Sequence, residues 1–148
     1  MSLRFATRAL VSASMCIAMN GQAGAADSPQ ANTRTFGENF RDMVLAICVA
    51  TAYKDVPEVG KDAGSSVSAL IDWTYYDMER AEAITALVEK YLSRDYFNPL
   101  AEAEVKGVRF DFLKCLDLYH SKDLDRLVNQ LVQNPNQTVR SYRQSHKR

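Results

Sequence analysis

"FDFLKCLDLYHSKDLDRLVNQL", residues 110–131, is the stretch on which the fold turns. Phe112, Cys115, Leu116 and Tyr119 recur at spacings of 3, 1 and 3, one stripe of a helix with 3.6 residues per turn. Leu124, Leu127, Val128 and Leu131 repeat the pattern after Ser121, a good N-cap, with Asp123 close to the positive end of the new helix dipole. Two helices meeting at a corner are expected, over 108–119 and from Ser121 onward. The corner also gathers chemistry, because Cys115, Tyr119 and His120 fall within six positions. As a catalytic dyad, Cys115 and His120 fail: five residues turn about 140° around a helix, and the chain bends between them. An apolar stripe also favours the neutral thiol over the nucleophilic thiolate. His120 reads better as a helix-end residue that meets the last carbonyls or packs on Tyr119.

Upstream, Thr35 and Glu38 form a capping-box signature, followed by Phe36, Phe40, Met43, Val44 and Ile47 along one helical face. That predicts a first helix over 36–53, with Cys48 at the edge of its buried stripe. Pro57 and Gly60 in "KDVPEVGKD" point to a loop over 54–62. Helical spacing resumes at 63–76 through Val67, Leu70, Ile71 and Thr74. Trp73, Tyr75 and Tyr76 cannot all face one core, so they either reach an interface or cover two sides of a buried helix. Asp77 can cap a third helix, 78–93, with Ile84, Leu87, Val88 and Tyr91 inside and Glu79, Glu82, Ala86 and Glu89 outside. Residues 94–107 are the least regular interior segment, with Tyr96 and Phe97 as candidate exposed aromatics and Pro99 favoured at a first helical position. Long loops in small domains tend to carry function. No strand pattern or repeat is evident, so the expected fold is all-α, a single compact bundle of about five helices.

The N-terminus sets the compartment. Arg4 and Arg8 precede an uncharged, largely apolar run over 9–19, and small residues stand at Ala23 and Ala25. This is the layout of a secretory signal peptide over 1–25, and the apolar run is far shorter than the roughly 20 residues that span a bilayer. The expected organisation is a signal peptide at 1–25, a flexible lead-in at 26–35, a helical domain at 36–133 and a basic flexible tail at 134–148. Without Arg4 and Arg8 the chain has 16 basic residues against 18 acids, a formal −2. Arg140, Arg143, Lys147 and Arg148 all lie in the last nine residues, so the body over 26–139 carries 12 against 18, or −6. An acidic body argues against nucleic acid as partner, since phosphate binding needs a basic face. Cys48 and Cys115 are the two cysteines left after cleavage, and an even pair in a small exported domain is most simply a disulfide. It would staple the first helix to the fourth.

Motifs for other chemistry are missing. There is no CxxC, HxxxH, HExxH, GxSxG, Walker loop or Gly-rich dinucleotide turn, which gives no catalytic, cofactor or metal residues to nominate. That shifts the expectation toward a binding protein. A small periplasmic enzyme using Asp, Glu or His120 and a helical adaptor or ligand-binding module are the alternatives.

"AICVATAY" at 46–53 and "GVRFDFLKCLDLYHSKDLDRLV" at 107–128 resemble the type VI secretion amidase immunity proteins paired with the fourth amidase effector family. The likeness covers about 36–132 and is strongest around the two cysteines. It implies a helical, periplasmic, non-enzymatic protein without cofactor that blocks an injected NlpC/P60-type cysteine amidase of peptidoglycan. It also implies a homodimer in a two-to-two complex, one subunit packing a helix on the enzyme while the other inserts a protruding loop into its groove. On this chain the packing helix falls at Glu79, Glu82, Ala86 and Glu89. The inserting loop falls at 94–107 with Tyr96, Phe97 and Asn98 at its tip, and the loop at 55–61 is second choice. No nucleic acid, and no membrane after signal cleavage, enters this picture.

Overall fold

The computed structural model describes residues 28–146, and the expected signal peptide lies outside them. Seven helices occur among the described residues: α1 Phe36–Ala52, α2 Pro57–Ile71, α3 Glu82–Leu92, α4 Pro99–Glu104, α5 Asp111–Tyr119, α6 Lys122–Leu131 and α7 Val139–Ser145. Extended pairing is confined there to two isolated bridges, Thr35 with Thr138 and Tyr76 with Val132. The fold is all-α, with two helices more than the five expected.

α1 is the central element and packs against α2, α3, α5 and α6. Its inward stripe, Phe36, Phe40, Met43, Val44 and Cys48, is completely buried. Each large apolar side chain so buried contributes about 1.5–3 kcal/mol. The start of the helix is fully accounted for. The Phe36 N–H donates to Gln137 O at 2.8 Å, Gly37 N–H to Pro135 O at 2.9 Å and Asn39 N–H to Thr35 O at 3.0 Å. The Glu38 N–H donates to Thr35 Oγ1 at 3.2 Å, while the Thr35 N–H returns to Glu38 Oε2 at 2.8 Å. This capping box satisfies donors that a helix end otherwise leaves orphaned. Its hydrogen bonds from Thr35 hold the Glu38 carboxyl below its ordinary pKa. A side chain at Gly37 would place its Cβ 3.0 Å from the Pro135 carbonyl oxygen, so the absence of one lets the 135–138 segment close over α1.

Cys48 and Cys115 are joined, with Cα atoms 5.7 Å apart, so the expected staple links α1 to α5. The corner that follows is as anticipated in kind. The Ser121 hydroxyl donates to Leu118 O at 2.7 Å and accepts from the Leu124 N–H at 3.1 Å. Leu124, Leu127, Val128 and Leu131 are buried. Arg41 of α1 braces the corner by donating to the Tyr119 carbonyl at 2.6 Å and pairing with Asp125.

Several expectations need correction. The 54–62 loop shrinks to a turn, because Pro57 is the first residue of α2, where its missing N–H costs nothing. Gly60 and Gly64 lie inside that helix with open space beside them. Packing on α1 offsets their roughly 1 kcal/mol propensity penalties. α2 ends at Ile71 rather than Tyr76. Its aromatics then split: Tyr76 packs edge-on to Phe40 at 5.4 Å, and Tyr75 contacts Phe36 at 5.0 Å. The third helix begins only at Glu82, because Asp77 caps a separate 3-10 turn over Met78–Arg80. The lead-in forms a 3-10 turn over Gln30–Thr33 with Ala31 buried, held by Asn39 Nδ2 donating to Ala31 O at 2.8 Å. In place of a frayed tail, Thr138 and Ser141 build a second capping box and α7 docks with Val139 buried.

The fourth helix departs most instructively. It starts at Asp111, after Phe110 in the left-handed region (φ 53°), and Phe112 points outward rather than into the stripe. The inward positions are 111, 114, 115 and 118, with Lys114, Cys115 and Leu118 buried. Lys114 and Asp111 disguise that face as polar, which shifts the apparent stripe by one residue.

Candidate partner-binding surface

Rotating α5 to bury an ion pair has a second effect, since Phe112 and Leu113 turn outward. Among the described residues nine large hydrophobic side chains are exposed, and six of them, Phe97, Leu100, Val105, Val108, Phe112 and Leu113, fall between 97 and 113. Leu100 is 81% exposed and Phe97 69% exposed. Isolated exposed leucines are ordinary; a concentration along one segment marks an interaction surface. Phe97 and Leu113 line an open hollow of about 290 Å³ together with Tyr96, Asn98 and Phe110.

The segment is built rather than loose. Asn98 Oδ1 accepts from the N–H groups of Leu100 (3.0 Å) and Ala101 (3.4 Å), capping α4, whose first residue is Pro99. Tyr96 is no free tip: its hydroxyl donates to Asp117 Oδ2 at 2.5 Å and accepts from Arg94 at 3.4 Å. The Arg94 guanidinium in turn lies 3.6 Å from the centre of the Tyr91 ring. Of the three loop residues that the sequence singles out, Phe97 is therefore the exposed apolar one, Asn98 is an exposed cap and Tyr96 a half-buried anchor. Leu100, Val105, Phe112 and Leu113 join the surface without having been expected there. No sequence signal marks Leu100 or Val105, since Phe97 and Val108 stand three residues from them, the ordinary spacing of a buried helical pair.

On α3 and the turn before it, Glu79, Glu82, Ala86 and Glu89 are all exposed. Ala86 borders a second open hollow of about 300 Å³ between α3 and α6, shared with Leu87, Lys90, Asp123 and Arg126. Lys90 donates to Asp123 at 2.7 Å, and this bond holds the Asp123 carboxyl below its ordinary pKa. The second-choice loop is reduced to a short turn before α2, with Asp55 and Val56 exposed.

Neither surface is equipped for covalent chemistry. Cys115 has no thiol to ionise because it is bonded to Cys48. His120 ends α5 and stands edge-on to the Tyr119 ring at 5.1 Å, in the structural role read from the sequence. Tyr119 donates to Asp42 Oδ1 at 3.1 Å; burial, then the Asp42 charge, pushes its hydroxyl pKa up. Among the described residues no group of three or more His, Cys, Asp or Glu side chains is placed to hold a metal ion. No described helix is long and apolar enough to cross a membrane.

Comparison with known proteins agrees with a binding role. The family model Tai4, described as type VI secretion system (T6SS) amidase immunity protein, matches residues 38–128. A solved structure described as "New Type VI-secreted toxins and self-resistance proteins in Serratia marcescens" is similar at a TM-score of 0.66 and 28% identity, covering 80% of this chain and 94% of that one. The Tae4/Tai4 effector–immunity system from Salmonella typhimurium shares the fold at a TM-score of 0.60 and 23% identity, over 70% of this chain and 96% of that one. No curated protein matches the chain.

Proposed function

Because the chain belongs to the Tai4 family of type VI secretion system amidase immunity proteins, which are not enzymes, we propose that it acts by sealing the active-site groove of its cognate amidase. The observation that carries this reading is the exposed apolar run from Phe97 to Leu113, mounted on a capped and braced segment. A peptidase-like groove admits an extended peptide, so an apolar projection that fills it removes substrate access without any reaction. The second contact is the exposed row of Glu79, Glu82, Ala86 and Glu89 at α3, whose charge suits a basic rim.

In this proposal residues 1–25 direct export and are removed, and the domain from 36 onward works in the periplasm, where the disulfide forms. The enzyme blocked is an NlpC/P60-type cysteine amidase. Two copies of the chain grip two enzymes, with α3 from one copy and the 94–107 segment from the other meeting each amidase.

Titration of the purified chain into the amidase tests the core of this. Peptidoglycan cleavage is expected to fall to zero at equimolar inhibitor, and Leu100→Arg to weaken inhibition by about a hundredfold through a charge forced into an apolar contact. Undiminished cleavage at excess wild-type chain would refute the inhibitory reading. Normal inhibition by the Leu100→Arg chain would move the contact elsewhere.

A further inference from the structure

Lys114 is 5% exposed, an unusual address for an ammonium group. Its Nζ donates to the Leu92 carbonyl at 3.1 Å and to Asp111 Oδ1 at 3.0 Å, and stands 5.9 Å from the centre of the Tyr96 ring. Leu92 is the last residue of α3, from which the exposed segment departs, and Asp111 is the first of α5, to which it returns. One buried cation thus fastens both ends of an excursion of 18 residues, 93–110. Arg109 secures the other oxygen of Asp111 at 2.7 Å, and the Lys114 N–H closes on the Phe110 carbonyl at 3.0 Å, fixing the left-handed residue at the return. Within the excursion, Tyr96 is tied to Asp117 of α5.

We infer that Lys114 is a positioning residue for inhibition: with Asp111 it clamps the base of the 93–110 segment, so that its apolar side chains are held in binding geometry before the partner arrives. The inference rests on the reading that this segment meets the amidase. An aliphatic residue at 114 would fill the space, but it would leave the base of the segment joined to α5 only through packing and the Tyr96–Asp117 hydrogen bond. A segment that must be ordered during binding loses affinity to that ordering, whereas one held in advance does not. The same logic explains why a charged pair stands at a core position of α5, where leucine would be the simple choice.

The test uses the free full-length chain and Lys114→Met, with wild type as reference. Amide hydrogen exchange across 95–108 is expected to quicken by about tenfold or more while α1 keeps its protection. Inhibition of the amidase, measured well below the thermal midpoint, is expected to weaken by a similar factor. Lost stability alone would quicken exchange throughout the domain and leave inhibition unchanged at that temperature. Unchanged exchange over 95–108 overturns the clamp, and quickened exchange with unchanged inhibition overturns the positioning role. Should Lys114→Met fail to fold, Asp111→Asn, which keeps the shape and weakens one arm, takes the same two measurements, and the same results support or overturn the clamp. Because exchange is read without the amidase, a failure of the contact reading, seen with Leu100→Arg, is distinguishable from a failure of the clamp.

Discussion

Replacing both Cys48 and Cys115 with alanine removes a cross-link between positions 67 residues apart in sequence, both completely buried. In the unfolded chain a bond closing a loop of that length removes conformational entropy worth about 4 kcal/mol at room temperature. Unfolding entropy is roughly 2.1 cal/mol/K per residue, which for the 119 described residues, 28–146, is about 0.25 kcal/mol/K. The double variant should therefore melt about 15 °C below wild type. Circular dichroism on heating without reductant measures it, after mass spectrometry has shown wild type two hydrogens lighter than its reduced form. A fall of less than about 4 °C would place the contribution below about 1 kcal/mol and refute the entropic argument. Reductant should act on wild type only as fast as the domain opens, since neither sulfur is accessible when folded.

Thr35→Ala breaks the capping box at α1 and should cost about 1 kcal/mol in chemical denaturation. The pH dependence follows in sign from Glu38, whose folded pKa lies below the ordinary 4.5 because of the bonds from Thr35. That contribution is present above pH 4.5 and is lost as the pH falls through the folded value, so the acid side of the stability profile should flatten in Glu38→Gln and only partly in Thr35→Ala, which keeps the backbone N–H bond to Glu38. Stability that falls equally steeply in wild type and in Glu38→Gln would remove Glu38 from the account. Charge reversal of Glu82 and Glu89 to lysine should slow association with the amidase by about tenfold at low salt, with the gap closing as salt rises. Stopped-flow mixing reads this, and equal rates would exclude the α3 row from the encounter.

How much of this is legible in the sequence depends on whether residues declare their environment. α6 is plain, because Leu124, Leu127, Val128 and Leu131 are apolar, buried and regularly spaced. The α1 capping box and the disulfide are equally readable, one from a local motif and the other from cysteine arithmetic in a chain with an export layout. α5 misleads through Lys114 and Asp111, since periodicity counts charged residues as outward and only a tertiary partner, here the Leu92 carbonyl, shows otherwise. Pro57 and Gly60 look like loop punctuation because helix propensity is weak beside packing against α1. At the candidate surface Phe97 stands out and Leu100 does not, because no sequence pattern distinguishes an unburied leucine from one buried by a distant element. α7 is hidden for the same reason: its capping box is short, and what stabilises it lies about a hundred residues earlier, at Thr35 and Phe36.

That distance sets an order of events. The N–H groups of Phe36 and Gly37 find their acceptors in Gln137 and Pro135, so the first turn of α1 waits for a segment about a hundred residues downstream. Contacts so far apart in sequence form late in folding. A chain lacking residues 135–137 would carry its central helix with an unfinished end. α1, the first α-helix among the described residues, has its end finished only by residues 135–137, and a domain built this way stays pliable until they have followed.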